Sequence, residues 1–234
     1  MAASLKDASV VVFGGSSGMG LATARTVLNE GARVTIVGRN ADRLDQAREE
    51  LSGDVRRAAL DVGDEAAVRD LFDGIDDVDH VVCFAGTSAF GPIVETDIAT
   101  LRGTVDSRFW GPVYISKYAG ARMTAGSLTF CTGSGVERPR PGSSILSAAA
   151  SGAETFSRGM ARELAPIRVN VVRPGMIDTP LIERTGISLE EHTAGLPIPR
   201  VGRPEEVAHA VVFLITNEFV TGVVLPVDGG AALV

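Results

Sequence analysis

Gly14-Gly15-Ser16-Ser17-Gly18-Met19-Gly20 lies between two segments of opposite periodicity. Before it, Ser9-Val10-Val11-Val12-Phe13 is apolar almost throughout, the pattern of a strand covered on both faces. After it, Leu21, Ala24, Val27 and Leu28 recur at helical spacing, and Gly31 supplies the glycine that ends a helix. A strand that turns through glycines into a helix has a specific chemical use. Glycine tolerates positive φ and close backbone approach, and the first helical turn offers free N–H groups with partial positive charge. Gly14, Ser16, Ser17, Gly18, Met19 and Gly20 are therefore candidates to hold a pyrophosphate.

The alternation repeats. After a strand at 33–37, a helix, a strand and a helix follow through Phe72. Further strands are expected at 78–84, 127–131, 168–172 and 222–227, with helices at 98–123, 144–164 and 205–216. Apolar strands separated by helices predict an α/β fold, a doubly wound parallel sheet with helices on both faces. One domain over 1–234 is expected, with irregular segments at 132–142 and 178–204, the second a candidate substrate lid. Lys and Arg number 22 against 29 Asp and Glu, and the net charge of −7 argues against a nucleic-acid partner. No apolar run approaches the roughly 20 residues of a membrane span. The first residues lack a basic stretch leading into an apolar one, and Cys83 and Cys131 both lie in strand-like runs. A reduced, cytoplasmic chain without disulfides or metal is expected.

The end of the second strand bears on the choice of dinucleotide. A 2′-hydroxyl is usually held there by Asp or Glu, about 20 residues beyond the glycines. Here the segment reads Val37-Gly38-Arg39-Asn40, with no acid. Arg39 is placed to meet a 2′-phosphate, so NADP(H) is the expected cofactor.

The sequence resembles the short-chain dehydrogenase/reductase family from about Ser9 to Gly230. Gly14-x-x-x-Gly18-x-Gly20 matches its cofactor fingerprint, Leu60-Asp61-Val62 its adenine-contacting turn, and Phe84-Ala85-Gly86 its Asn-Ala-Gly motif with Phe in place of Asn. Arg168-Val169-Asn170 and Arg173 to Thr179 are similar to its sixth strand and nicotinamide loop. Gly202 to Val207 and Val227 to Gly230 match its C-terminal segments. The resemblance implies a Rossmann-like seven-stranded sheet of order 3-2-1-4-5-6-7, a small-molecule substrate, and a homodimer or homotetramer. It adds Asn40, Asp61, Val62, Phe84, Ala85, Gly86, Pro174, Gly175, Ile177 and Thr179 to the cofactor-binding candidates.

The family's proton-handling residues do not carry over. Its Tyr and Lys fall on Leu146 and Ala150, its Ser on Gly133 and its Asn on Arg108. A one-residue slip selects Ser134, Ser147 and Ser151, none of which is an acid of phenolic strength. The chain's tyrosines are Tyr114 and Tyr118 and its lysines Lys6 and Lys117, all outside 144–164. Hydride addition to a carbonyl requires a proton for the alkoxide, and loss of a general acid costs about 10²–10⁴-fold in rate. Hydride addition to an iminium yields a neutral amine and needs none. The expected function is thus an NADP(H)-dependent reductase of an imine, iminium or hemiaminal. Thr132, Ser134, Ser147, Asp178 and His192 are the catalytic candidates. Arg108 is open to a substrate acid, the 132–142 segment or an ion pair. His80 reads as a strand-edge residue and His209 as a helix-surface one. Alternatives are a non-catalytic NADP(H)-binding sensor or partner subunit, and a non-redox cyclase or lyase on the same scaffold.

Overall fold

A computed structural model describes residues 4–183, 189 and 193–234, the side chains of Leu181 and Glu183 excepted. Seven parallel strands form one sheet: β1 (Ser9–Phe13), β2 (Arg33–Gly38), β3 (Val55–Ala59), β4 (His80–Cys83), β5 (Ser127–Cys131), β6 (Arg168–Pro174) and β7 (Val224–Val227). Their order is β3-β2-β1-β4-β5-β6-β7, as the resemblance implies. In the central register Val12 faces Ile36 on one side and Val82 on the other.

The alternation of side chains along β1 explains why the strand is apolar throughout. Val10 and Val12 join one core with Ala24 and Val27 of α1 (Gly18–Asn29), Leu44 of α2 (Ala41–Glu50) and Val207, Val211 and Leu214 of the C-terminal helix Pro204–Thr216. Val11 and Phe13 join the other with Val68 and Phe72 of α3 (Glu65–Asp73) and Ile115 and Ala119 of α5 (Gly111–Gly120). Both faces are covered, so neither can be polar. Gly31, at φ +89°, ends α1 as expected. Side chains of Asn40 and Asp64 cap α2 and α3 by accepting from Arg43 N–H and Ala67 N–H.

The helical region expected at 98–123 is α4 (Ile98–Val105), a widened π turn at Asp106–Trp110, and α5. The π turn carries Arg108. Helix α6 (Ser144–Glu163) follows β5 as expected. The 132–142 segment contains a 3₁₀ turn at Ser134–Val136. The segment expected to be irregular at 178–204 begins with a short helix, α7 (Pro180–Glu183), and the C-terminal helix Pro204–Thr216 becomes α8. His80 is not at a sheet edge: β4 lies between β1 and β5, and the imidazole Nδ1 sits 2.9 Å from Ser127 Oγ. His209 is exposed, as expected.

Candidate active site

The sheet's order reverses between β1 and β4, and the connections leaving these strands diverge there. A crevice opens beyond the carboxyl ends of the strands at such a point. Here it is a cavity of about 990 Å³. All seventeen cofactor-binding candidates line it, from Gly14 and the helix-opening residues through Arg39, Asn40, Asp61, Val62 and Phe84-Ala85-Gly86 to Pro174, Gly175, Ile177 and Thr179.

Two glycines explain the first turn. Gly14 takes φ +79° while donating its N–H to Val37 O at 2.7 Å. A Cβ on Gly20 would lie 2.1 Å from Gly14 O, so α1 can start against the strand exit only with glycine there. The cap residue Ser17 uses no side-chain bond on the helix, leaving the first-turn N–H groups facing the cavity rim. Thr179 packs its methyl beside Gly18.

At the end of β2, Arg39 is largely exposed. Its Nη1 lies 3.4 Å from Thr87 Oγ1 and 3.8 Å from Asp61 Oδ2. Arg43, in the first turn of α2, lines the same corner. Sequence reasoning missed Arg43; its i+4 relation to Arg39 was the available signal. Asp61 accepts from Gly63 N–H at 2.9 Å and so shapes its own turn.

The opposite end is walled by Gly133, Leu146 and Ala150, together with Thr132, Ser134 and Ser147. None of the chain's tyrosines or lysines reaches it. Tyr118 donates to Glu65 Oε1 at 2.6 Å and Lys117 to the same oxygen at 3.3 Å, on the outer surface of α3 and α5. Thr132 lines the cavity, but its hydroxyl is committed to Glu154 Oε1 at 2.8 Å. Glu154 in turn receives Nε (3.0 Å) and Nη2 (2.8 Å) of Arg173, whose Nη1 pairs with Glu137. This buried pair ties β5, the 132–142 segment, α6 and β6 together; sequence reasoning had not found it, because its members are nineteen residues apart. Ser147 is buried, with its hydroxyl 3.5 Å from Ser143 Oγ.

Asp178 stands apart from the cavity wall. It is exposed and does not line the cavity. Ile177 bridges to Gly202 and is buried, and Asp178 N–H bonds Gly202 O at 2.8 Å; successive side chains of an extended segment point oppositely, so Asp178 faces out. His192 lies outside the described residues. Cys131 lines the cavity and Cys83 is in the core, and burial pushes both thiols up to about 12, which removes them as nucleophiles.

Arg108 enters from the π turn. Its Nε donates to Thr87 O (3.3 Å) and its Nη2 to Gly86 O (3.2 Å) and Ser88 Oγ (2.9 Å). Burial pulls its pKa below the usual arginine value. Of the three roles left open by the sequence, the ion pair is not found: no carboxylate among the described residues pairs with it, and its bonds go to the strip after β4.

The profile of a family described as Enoyl-(Acyl carrier protein) reductase matches residues 14–232. The chain belongs to the short-chain dehydrogenase/reductase family. A human 3-oxoacyl-[acyl-carrier-protein] reductase is 34% identical, over 97% of this chain and 99% of that protein. Among solved structures, a short-chain dehydrogenase/reductase family protein superposes with TM-score 0.93 at 34% identity, covering 99% of this chain and all of that one. The MalC Reductase/Diels-Alderase from Malbranchea aurantiaca superposes with TM-score 0.91 at 29% identity, covering 98% of this chain and 97% of that one. Relatives of this short-chain dehydrogenase/reductase are thus named reductases and dehydrogenases, which makes an oxidoreductase of this type the coarse functional assignment. Among the described residues no helix is long and apolar enough to cross a membrane.

Proposed function

We propose that the protein is an NADP(H)-dependent reductase that delivers hydride to a substrate already electrophilic enough to need no tyrosine acid: an imine, an iminium or a hemiaminal that loses water to give one. The observation that carries this reading is one cavity joining the glycine turn, the α1 N-terminus and Arg39 to a far end lined by no tyrosine, lysine or described carboxylate. NADPH fits the residues present. The α1 N-terminus would take the pyrophosphate, Arg39 and Arg43 the 2′-phosphate, and Pro174-Gly175 the nicotinamide end; bound there, the cofactor supplies the hydride. The chain's own part is to orient the acceptor carbon and exclude water, with Leu146, Ala150 and Ile177 as apolar walls and Ser134 and Ser147 as hydrogen-bonding groups. A serine hydroxyl is too weak an acid, without an activating neighbour, to replace a tuned tyrosine. We take the assembly to be a homo-oligomer; Trp110, part-exposed and stacked on Tyr114, supports a contact surface on the outer side of α5.

The test is consumption of NADPH absorbance with matched cyclic imines and ketones. Imines turned over at least 10²-fold faster than the ketones are expected. Ketone reduction at ordinary enzyme rates refutes the selection argument. A second, non-redox reading is favoured by the likeness to a protein named both reductase and Diels-Alderase; product formed while NADPH stays constant would select it.

A further inference from the structure

In a chain of net charge −7, four arginines bear on the cavity's charge: Arg39, Arg43, Arg108 and Arg138; Arg140 also lines it but has a partner of its own. Asp61, at the Arg39 corner, is the one acidic side chain among the described lining residues. A 2′-phosphate gives Arg39 and Arg43 a purpose; it gives Arg108 none. Arg108 rests on three neutral oxygens of Gly86, Thr87 and Ser88, its Nη1 has no partner among the described residues, and it forms no ion pair among them. Arg108 is half-buried, and a cation that stays charged while partly withdrawn from water is costly unless an anion meets it. The chain has also made room for it: a Cβ on Gly86 would lie 2.4 Å from Arg108 Nε. Arg138 adds an exposed cation at the rim, on the 132–142 segment.

With Arg39 and Arg43 facing the 2′-phosphate, Arg108 disfavours a bare iminium cation beside it. It accepts one whose charge is balanced within the substrate itself. Resting on the reductase reading above, we propose that the substrate carries a carboxylate beside its C=N carbon, and that Arg108 binds this carboxylate. The step balances without an added acid. The nicotinamide C4–H bond breaks, hydride and its electron pair form a C–H bond at the acceptor carbon, and the C=N π pair becomes the lone pair of a neutral amine. NADPH is oxidised to NADP⁺, the iminium is reduced, and the carboxylate stays ionised on Arg108. The planar guanidinium fork suits two carboxylate oxygens, whereas a rim lysine would supply only a point charge.

The test is calorimetric, on the full chain saturated with NADP⁺, with pipecolate and pipecolamide as product-like probes. Pipecolate is expected to bind at least tenfold more tightly than the amide. Arg108→Gln is expected to erase that preference while the folded variant still binds NADPH, and Arg108→Lys to restore part of it. Equal affinity for the two probes, no heat with either, or an Arg108→Gln variant that loses NADPH and keeps the preference overturns the proposal. If Arg108→Gln does not fold, Arg108→Lys decides: an undiminished preference overturns the proposal and a weakened one supports it. Pipecolate bound through Arg108 without NADPH consumption on 1-piperideine-2-carboxylate leaves the anion site standing and removes the reductase reading.

Discussion

Replacing Arg39 by alanine should weaken NADPH and leave NADH nearly untouched. In the ligand-free chain the side chain is 66% exposed, and its nearest groups stand at 3.4 and 3.8 Å, so its removal costs folding almost nothing. Against a bound 2′-phosphate the same guanidinium would make charge-assisted hydrogen bonds, worth about 1.5–3 kcal/mol. Its exposure places it at the low end, so the expected loss is about 1.5 kcal/mol, roughly tenfold in Kd. Arg43 lines the same corner and would meet the same phosphate, so the double variant should lose more than tenfold but less than the product of the single effects. NADH lacks the phosphate and should change less than about twofold by the same arithmetic. Titration of reduced-nicotinamide fluorescence with each cofactor, at low and high salt, reads the difference; salt should shrink it. Equal losses for NADH and NADPH, or a wild-type preference for NADH, would refute the assignment of this corner.

Three other perturbations probe the frame around the site. Glu154→Ala removes the bonds from Thr132 and two from Arg173, leaving a guanidinium with only the half-exposed Glu137; unfolding free energy should fall by about 3–5 kcal/mol, measured by urea denaturation, and a loss under about 1 kcal/mol would refute the network's role. Gly20→Ala puts a methyl 2.1 Å from a backbone oxygen, so NADPH affinity should drop by about a hundredfold or more while circular dichroism still reports the helices; a Kd within about threefold of wild type counts against the turn as the phosphate seat. Burial holds the His80 imidazole at about 4 against 6.5 in the unfolded chain. The unfolded state therefore binds the extra proton, and stability is full above about pH 6.5 and falls by about 3 kcal/mol as pH drops toward 4; His80→Gln should flatten that slope in urea titrations across this range, and an unchanged slope would assign it to other groups.

The parts of this protein written in local sequence were the legible ones. Strand periodicity, the glycine turn and the acid-free end of β2 each depend on residues within a few positions of one another, and they located the sheet and the cavity wall. Residues brought together by the fold were not legible. Glu154 and Arg173 find each other across the α6–β6 connection, and Arg108 is aimed by a π turn that helical spacing does not announce. Asp178 misled for the same reason: its position after Pro174-Gly175 suggested the site, but the direction of its side chain depends on the bridge from Ile177 to Gly202. Arg43 lay in plain view, one turn from Arg39.

The reaction end of the cavity narrows the chemistry further than the absence of a phenol alone. Ser134 and Ser147 can donate a hydrogen bond but not readily a proton, Thr132 is spent on Glu154, and the Cys131 thiol is held protonated. Arg108 can neutralise a negative group but cannot protonate one at neutral pH, because its guanidinium does not release a proton there. An alkoxide made by hydride addition would thus be stabilised where it stands and would wait for solvent to complete the reaction. An acceptor that ends as a neutral amine would escape that wait, and the proposed carboxylate alongside it would turn the arginine from an obstacle into an anchor. On the proposed reading, Arg108 would leave positive charge beside the reaction end that serves to hold an anion instead of tuning an acid.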